Sequence, residues 1–522
     1  MSSKLAECNR VFMTVIIGVL ILNTNSVLAN NRCVQIDRVL VQGVSKRLAK
    51  PVLKITDKFK ERCLNGSDIQ DLVRELTNYY VSYGYITSRV TLPEQDLMNK
   101  ELIIDVKEGY IESIDVKSYK KPSPFLAIKK GQILSLRDME QTVDQYNRGH
   151  AKDIKISLKP GTEPGATRVV IEDEPDKKWH LTSGIDNSGT KNKDNFQTFN
   201  NLTFGNVFGL NEFFGLNWRS SLADPADTYS NSKGIRVSLP VGYNDISYSY
   251  NLARDRNPIR SRGNLYINRG GSKSYKADIS RLIHRNGASK TSVSIGLGND
   301  IYDHYLDENK IQISSYKITK SDFGINHERK LSASIFSLGV DVTTGINKGY
   351  YATFGRLGVP EEYFTKINFN TSWLKPTPVV IANRNVQYRM QFSGQYSAQR
   401  LVTSEKFSLG GLGSIRGFKE YRENADNALL VRNELIGFLP SIKTAKLKKF
   451  IGEVSVFTAF DIGYFCNYEE VGEKRGTMAG IATGIRNSGS VINFSITLAR
   501  PFQAPLYFKH RNIVYMSLAV NI

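Results

Sequence analysis

Two short segments set opposite charges among small residues. In "SIRGF", residues 414–418, Arg416 lies between Ile415 and Gly417, and Phe418 follows; in "FDIG", residues 460–463, Asp461 is followed closely by Gly463. A guanidinium can grip a carboxylate through two parallel hydrogen bonds. Gly417 lets the backbone turn sharply, and Phe418 offers an apolar anchor. The chemistry on offer is therefore a latch rather than a reaction. The chain lacks GxSxG, GxxxxGK[ST] and HExxH, and its six histidines show no metal-ligand spacing, so neither an enzyme nor a metal or cofactor is expected.

The elements that must carry these residues are strands. In "EVSVFTAFDIGYF", Val454, Val456, Thr458, Phe460, Ile462 and Tyr464 share one face, and Ser455, Phe457, Ala459, Asp461, Gly463 and Phe465 share the other. Asp461 thus has Ala459 and Gly463 as same-face neighbours, which leaves room for a bulky group to reach it. "ISYSYNL" from Ile246, "VQYRMQFS" from Val386 and "INFSITL" from Ile492 alternate in the same way. An alternating strand shows only one wet and one dry face, which a soluble sandwich also has. Two features favour a transmembrane β-barrel. The dry residues lean toward Tyr, Phe and Leu, and the stretch from 176 onward runs to about 350 residues, too long for one sandwich. About 16 strands of ~9–11 residues fit that length with their loops. On spacing alone, Arg416 and Asp461 are either a latched pair or a solvated loop residue and a separate lumen charge.

Charge is unevenly placed within a net +20: residues 176–522 hold 44 Lys and Arg against 28 Asp and Glu, while residues 30–175 hold 24 against 21. A basic lumen or rim meeting anionic lipid or an acidic polypeptide accounts for this, as does ordinary loop solvation; nucleic acid does not suit an exported chain.

Export is read from the first 29 residues. Lys4 and Arg10 lead into "VFMTVIIGVLIL", and Ala29 offers a cleavage site, so the mature chain is expected to begin near Asn30. As a membrane helix this run is short. In an oxidising compartment Cys33 and Cys63 can pair, closing a loop worth roughly 3–4 kcal/mol. Cys466 stands outside that pair.

Residues 30–175 read differently from the rest. "SDIQDLVRELTNYYVSYGY" has Ser67 or Asp68 placed as an N-cap and Ile69, Leu72, Val73, Leu76, Tyr79 and Tyr80 at helical spacing; "ELIIDVKEGYIESIDV" gives two short strands about Gly109. The pattern recurs in "SLRDMEQTVDQYN", with Leu136, Met139, Val143 and Tyr146 on one side, followed by two strands around Pro-Gly turns. The expected organisation is a signal peptide (1–29), two small α+β modules (30–107 and 108–175) and the barrel (176–522).

These motifs together resemble the outer-membrane transporters of two-partner secretion, the hemolysin and filamentous-hemagglutinin exporters. "CLNGSDIQDLVRELTNYYVSYGYITSRVTLPEQDL" looks like their first polypeptide-transport-associated (POTRA) domain, "LSLRDMEQTVDQYNR" like the helix of the second, and "GIDNSGTK" like the first barrel strand. "SIRGF" and "FDIG" match the family's loop and strand motifs. The resemblance implies a gating loop carrying Arg416, Gly417 and Phe418 inside the lumen, with Asp461 and Gly463 as its partner on the barrel wall. It also implies an unfolded, secreted exoprotein as partner in the periplasm, outer-membrane lipid around the barrel, the barrel-assembly machinery for insertion, and a monomer. Two departures stand out. Cys33 follows the expected cleavage site too closely to leave room for the plug helix that some members carry, and the final strand ends in Ile522 rather than in the aromatic residue that many outer-membrane barrels show.

Overall fold

The computed structural model describes residues 33–522 except 118–121, 149–153, 173–177, 190–194, 223–227, 262, 349–359, 382, 469–472 and 505–510. The signal peptide and its cleavage site lie outside the described residues.

The chain divides into two compact units, residues 1–110 and 111–522. In the first, strand Arg38–Gln42 runs parallel to Glu101–Lys107, and Arg89–Thr91 pairs antiparallel on its other side. Two helices cover the sheet, α1 (Lys46–Thr56) and α2 (Gly66–Ser82). Helix α2 starts earlier than its apolar spacing suggests, because Asn65 is the N-cap. Its side chain accepts from the Asp68 N–H at 3.0 Å, and the Asp68 carboxylate accepts from the Asn65 N–H at 2.9 Å. Ser67 and Asp68 are therefore inside the helix, and reciprocal capping outweighs the pattern of the residues that follow. Leu72, Leu76 and Tyr80 form its buried side. The Tyr80 hydroxyl donates to Glu108 Oε1 at 2.9 Å; burial and that carboxylate push its phenol well above the ordinary range. Helix α1, "KRLAKPVLKIT", buries Leu48, Val52 and Thr56, but Pro51 inside it masks the signal, since proline removes one helical N–H.

Cys33 and Cys63 form a disulfide, with Cα atoms 5.3 Å apart and a separation of 30 positions in sequence. It ties the pair of short strands Val34–Ile36 and Arg62–Leu64. Replacing both cysteines by serine is expected to cost this domain roughly 3–4 kcal/mol. The measure is protease susceptibility of the full chain in rising urea; cleavage at an unchanged urea concentration would show that the cross-link does not stabilise the domain.

The strands on either side of Gly109 do not form a hairpin. Tyr110–Val116 joins a separate sheet with Ala166–Glu172 and Lys155–Pro160. Gly109 itself is packed against the first domain, where a Cβ would lie 2.1 Å from the Thr87 hydroxyl. Helix α3 (Leu136–Asn147), capped by the Ser135 side chain, packs Met139 and Tyr146 onto the second sheet with Ile111, Leu134, Val169 and Ile171.

The remaining strands close an antiparallel barrel in which Ile513–Asn521 pairs with Trp179–Asp186. Sixteen strands span it, and the two-residue piece Asn309–Lys310 is an addition at one loop. Register explains why it faces lipid. Leu239, Ile246, Ile279, Ile295, Phe323 and Val342 are successive cross-strand partners, so six adjoining strands present one apolar row outward. At the C-terminus, Met516, Leu518, Val520 and Ile522 are exposed on that face, and Ile522 exchanges backbone hydrogen bonds with Leu181 at 2.9 and 3.2 Å.

Helix α3 also grips the barrel. Gln145 Nε2 donates to the Gly242 carbonyl at 2.8 Å, Arg148 Nη2 reaches Asp245 Oδ2 at 2.5 Å, and Asp144 accepts from Lys290 Nζ at 2.7 Å and from Arg285. These contacts mark the turns at 241–244 and 285–289 as the mouth that carries the second module. Partial burial raises the Asp144 carboxyl, but Lys290 and Arg285 outweigh it and hold the group below its ordinary value of 3.8. A lowered carboxyl stabilises the docked state above the unfolded-state pKa and loses that contribution as pH falls through the folded value. Acidification below about pH 3.8 is therefore expected to loosen α3 from the 285–289 turn. Spin-label distances between the two should widen in acid, and Asp144→Asn should remove the pH dependence; a wild-type distance constant through that range would refute the assignment.

A buried arginine inside the barrel

The segment 398–426 leaves the outer end of strand Arg384–Ser397 and folds back into the barrel before strand Asn427–Phe438 begins. It is built as a small hairpin, Phe407–Leu409 paired with Glu423–Ala425. At its base Glu405 is buried between Lys320 Nζ at 3.1 Å and Lys366 Nζ at 2.9 Å, and Asp426, fully buried, accepts from the Leu401 N–H at 2.8 Å and from Lys406 Nζ at 3.1 Å. The tip carries Ile415, Arg416 and Phe418, all buried. Phe418 packs with Leu409 and Ile415 against Leu430, Phe465 and Met478 of the wall.

Arg416 is 2% exposed. Its Nε donates to Asp461 Oδ2 at 2.6 Å, its Nη2 to Asp461 Oδ1 at 2.5 Å, and its own backbone N–H to Asp461 Oδ2 at 3.0 Å. The two side-chain bonds are the parallel pair that a planar guanidinium is shaped to make. Gly417 has φ +100°, and a Cβ there would lie 2.7 Å from the backbone of Arg500 and Pro501. Over Gly463 the bulky neighbours are Ile415 and Leu409, 2.7 and 3.0 Å from a hypothetical Cβ. All five residues singled out in "SIRGF" and "FDIG" thus converge on one contact between loop and wall.

Several partners do not announce themselves in the sequence. Glu434 accepts from Arg416 Nη1 at 2.5 Å and from Arg486 Nη2 at 3.0 Å. Arg432 lies 3.7 Å from Asp461 and donates to the carbonyls of Leu412 and Gly413 at 3.1 and 3.2 Å. Phe457 lies under both Arg416 and Arg486, at 5.8 and 4.6 Å from its ring centroid. Alternation through "NALLVRNEL" puts Arg432 and Glu434 on the inward face, which is the available signal, but only register reveals that Arg432 faces Asp461. Gly480 is the other hidden element: a Cβ there would sit 1.9 Å from the Arg416 carbonyl oxygen. Arg416 and Arg486 share hydrogen bonds with the two carboxylates, so Asp461 and Glu434 are each paired, while Arg432 stands close to Asp461 and spends its donors on loop carbonyls.

A barrel with this loop inside it, following two small α+β modules, matches known sequence families. Residues 165–487 match the family described as haemolysin secretion/activation protein ShlB/FhaC/HecB, residues 34–109 match its ShlB-type POTRA domain, and residues 111–160 match a further POTRA domain. The chain belongs to the ShlB/FhaC/HecB family. It is 31% identical to the outer membrane transporter CdiB of Escherichia coli O6:K15:H31 over 499 residues, 94% of this chain and 82% of the relative. It is 28% identical to the hemolysin transporter protein ShlB of Serratia marcescens over 77% of this chain and 72% of that one. The solved structure of CdiB from Escherichia coli superposes with a TM-score of 0.85 at 27% identity, covering 97% of this chain and 93% of the other. CdiB from Acinetobacter baumannii, at 23% identity and a TM-score of 0.80 over 94% and 90%, shares the fold. The ShlB/FhaC/HecB chain described here is an outer-membrane transporter of two-partner secretion, with its POTRA domains in the periplasm. The mouth gripped by α3 is therefore the periplasmic one.

Proposed function

We propose that this transporter captures an unfolded exoprotein of hemolysin or adhesin type in the periplasm and secretes it through the barrel without nucleotide hydrolysis. The observation that carries the reading is a loop held inside the barrel. A loop fastened to the wall through Arg416, Asp461 and Glu434 closes the path, and the fastening consists of contacts that can be exchanged for others. Capture has a physical route in strand addition. Among the described residues, Arg38–Gln42 and Arg89–Thr91 end the first sheet, and Tyr110–Val116 and Lys155–Pro160 end the second. An extended chain adding at such an edge binds through its backbone, which tolerates varied sequence. Entry into the lumen then displaces Arg416 from Asp461, and folding of the cargo outside gives the direction. The chain acts as a monomer, and the barrel-assembly machinery inserts it.

The test is mass spectrometry of the medium and of the outer membrane with the gene deleted and then restored. Loss of one large exoprotein from the medium, with the membrane proteome unchanged, is expected. A broad loss of membrane barrels would overturn the reading and make the protein an assembly insertase.

A further inference from the structure

The outer wall of the barrel carries a site that the latch does not use. On strand Asn244–Ser261, the residues Ile246, Tyr248, Tyr250, Leu252 and Arg254 alternate onto the lipid-facing side, and pairing extends that side to Ala277, Tyr275, Lys273 and Gly271 of the next strand. Rising from the periplasmic turn, this face changes character in order. It is apolar at Ile246 and Ile279, then aromatic, where Tyr250 and Tyr275 pair with ring centroids 4.9 Å apart, then cationic at Lys273, Arg254 and Arg269. Tyrosines on a barrel's outer face mark the headgroup level. The cationic stretch therefore lies at the surface of the outer leaflet.

At that level the wall is hollowed by a cavity of about 430 Å³, whose lining includes Leu252, Arg254, Gly271, Lys273, Tyr229 and Tyr305. Gly271 leaves the space open: a Cβ there would meet nothing nearer than the Asp303 carbonyl oxygen at 4.0 Å, so packing against protein does not demand the glycine. Of the carboxylates that line the cavity, Asp255 alternates onto the opposite face of its strand from Arg254, and Asp303 and Asp307 hold hydrogen bonds of their own. Asp303 accepts from Lys310 Nζ at 2.6 Å, Asp307 Oδ1 accepts from the Ile267 N–H at 2.7 Å, and Glu308 lies 4.0 Å from Arg269. Among the described residues, neither Arg254 nor Lys273 has an ion-pair partner. They stand diagonally across the ladder, since Arg254 faces Gly271 and Lys273 faces Leu252. Two uncommitted cations flanking an open floor, with aromatic rings and engaged carboxylates at the rim, suit a phosphorylated sugar: the cations take phosphate, the rings take the sugar face, and the carboxylates take hydroxyls.

We infer that this cavity binds the phosphorylated sugar headgroup of an outer-leaflet glycolipid, with Arg254 and Lys273 on the phosphate and the acyl chains running down over Leu252, Tyr250 and Ile246. The position selects a lipid over a free anion, because the cavity opens on the face that continues into the apolar band.

The test is titration of the full-length protein in detergent with a deep-rough lipopolysaccharide and with the same lipid after dephosphorylation, read by native mass spectrometry. Wild type is expected to bind the phosphorylated lipid saturably. Arg254→Gln and Lys273→Gln should each weaken binding about ten-fold, as loss of a charge-assisted hydrogen bond does, and Gly271→Phe should remove it by filling the floor. The dephosphorylated lipid should bind wild type no better than the glutamine variants bind the intact one. Unchanged heat-modifiable migration and secretion would show that each variant is folded. Equal retention of lipid by wild type and by all three folded variants would overturn the proposal, as would inorganic phosphate alone displacing the lipid at equal concentration.

Discussion

Arg416→Ala will abolish secretion and leave the barrel conducting ions at rest. The guanidinium makes three side-chain bonds to two buried carboxylates, and alanine leaves Asp461 beside Arg432 at 3.7 Å and Glu434 to Arg486 at 3.0 Å and Arg389 at 3.9 Å. Breaking a buried pair from one side costs ~3–5 kcal/mol at the dry limit and less where water enters the lumen. Arg416→Lys will be nearly as severe, since one ammonium cannot span Asp461 and Glu434 together. Asp461→Ala will lose secretion alike, and the double variant Arg416→Ala/Asp461→Ala will be scarcely worse than either. The readouts are exoprotein in the medium, conductance in planar bilayers and the temperature of heat-modifiable unfolding. Losses that add in the double variant would show that the two residues act separately.

Gly480→Ala will have the second-largest effect, although glycine brings no chemistry of its own. Its new methyl would lie 1.9 Å from the Arg416 carbonyl oxygen, a backbone atom that cannot swing aside, so the loop tip must lift from the wall. Such overpacking costs ~1–3 kcal/mol, and here the strain falls on the contact that holds the loop to the wall. Gly463→Ala will be milder, because its methyl meets the flexible end of Ile415. Gly413→Ala, in the same loop but with nothing within 4 Å of a Cβ, will be silent. The ranking in resting conductance is therefore Gly480→Ala, then Gly463→Ala, then Gly413→Ala indistinguishable from wild type. A silent Gly480→Ala would mean that the loop is not seated against that strand.

Strand alternation was legible because the side-chain period of two needs no partner to be seen; the faces assigned to "EVSVFTAFDIGYF" match the burial of Phe457, Asp461 and Phe465 and the exposure of Val456, Phe460 and Ile462. Helix α2 was legible for the same reason, except at its start, where a reciprocal cap set the boundary. Helix α1 was hidden by Pro51, and the two strands around Gly109 read as neighbours although they belong to different sheets. Local pattern reports which face a residue takes, not which strand lies beside it.

The candidate site divides along that line. Composition, spacing and compartment were enough to place Arg416 in a turn able to bend at Gly417, to face Asp461 inward beside small residues, and to set Cys33 and Cys63 where they can pair. It took the closed barrel to show that Glu434, Arg432, Arg486 and Phe457 complete the contact and that Gly480 makes room for it. Those residues come from three strands whose nearness depends on register around a closed barrel, and register is fixed by the whole ladder rather than by any one segment of it.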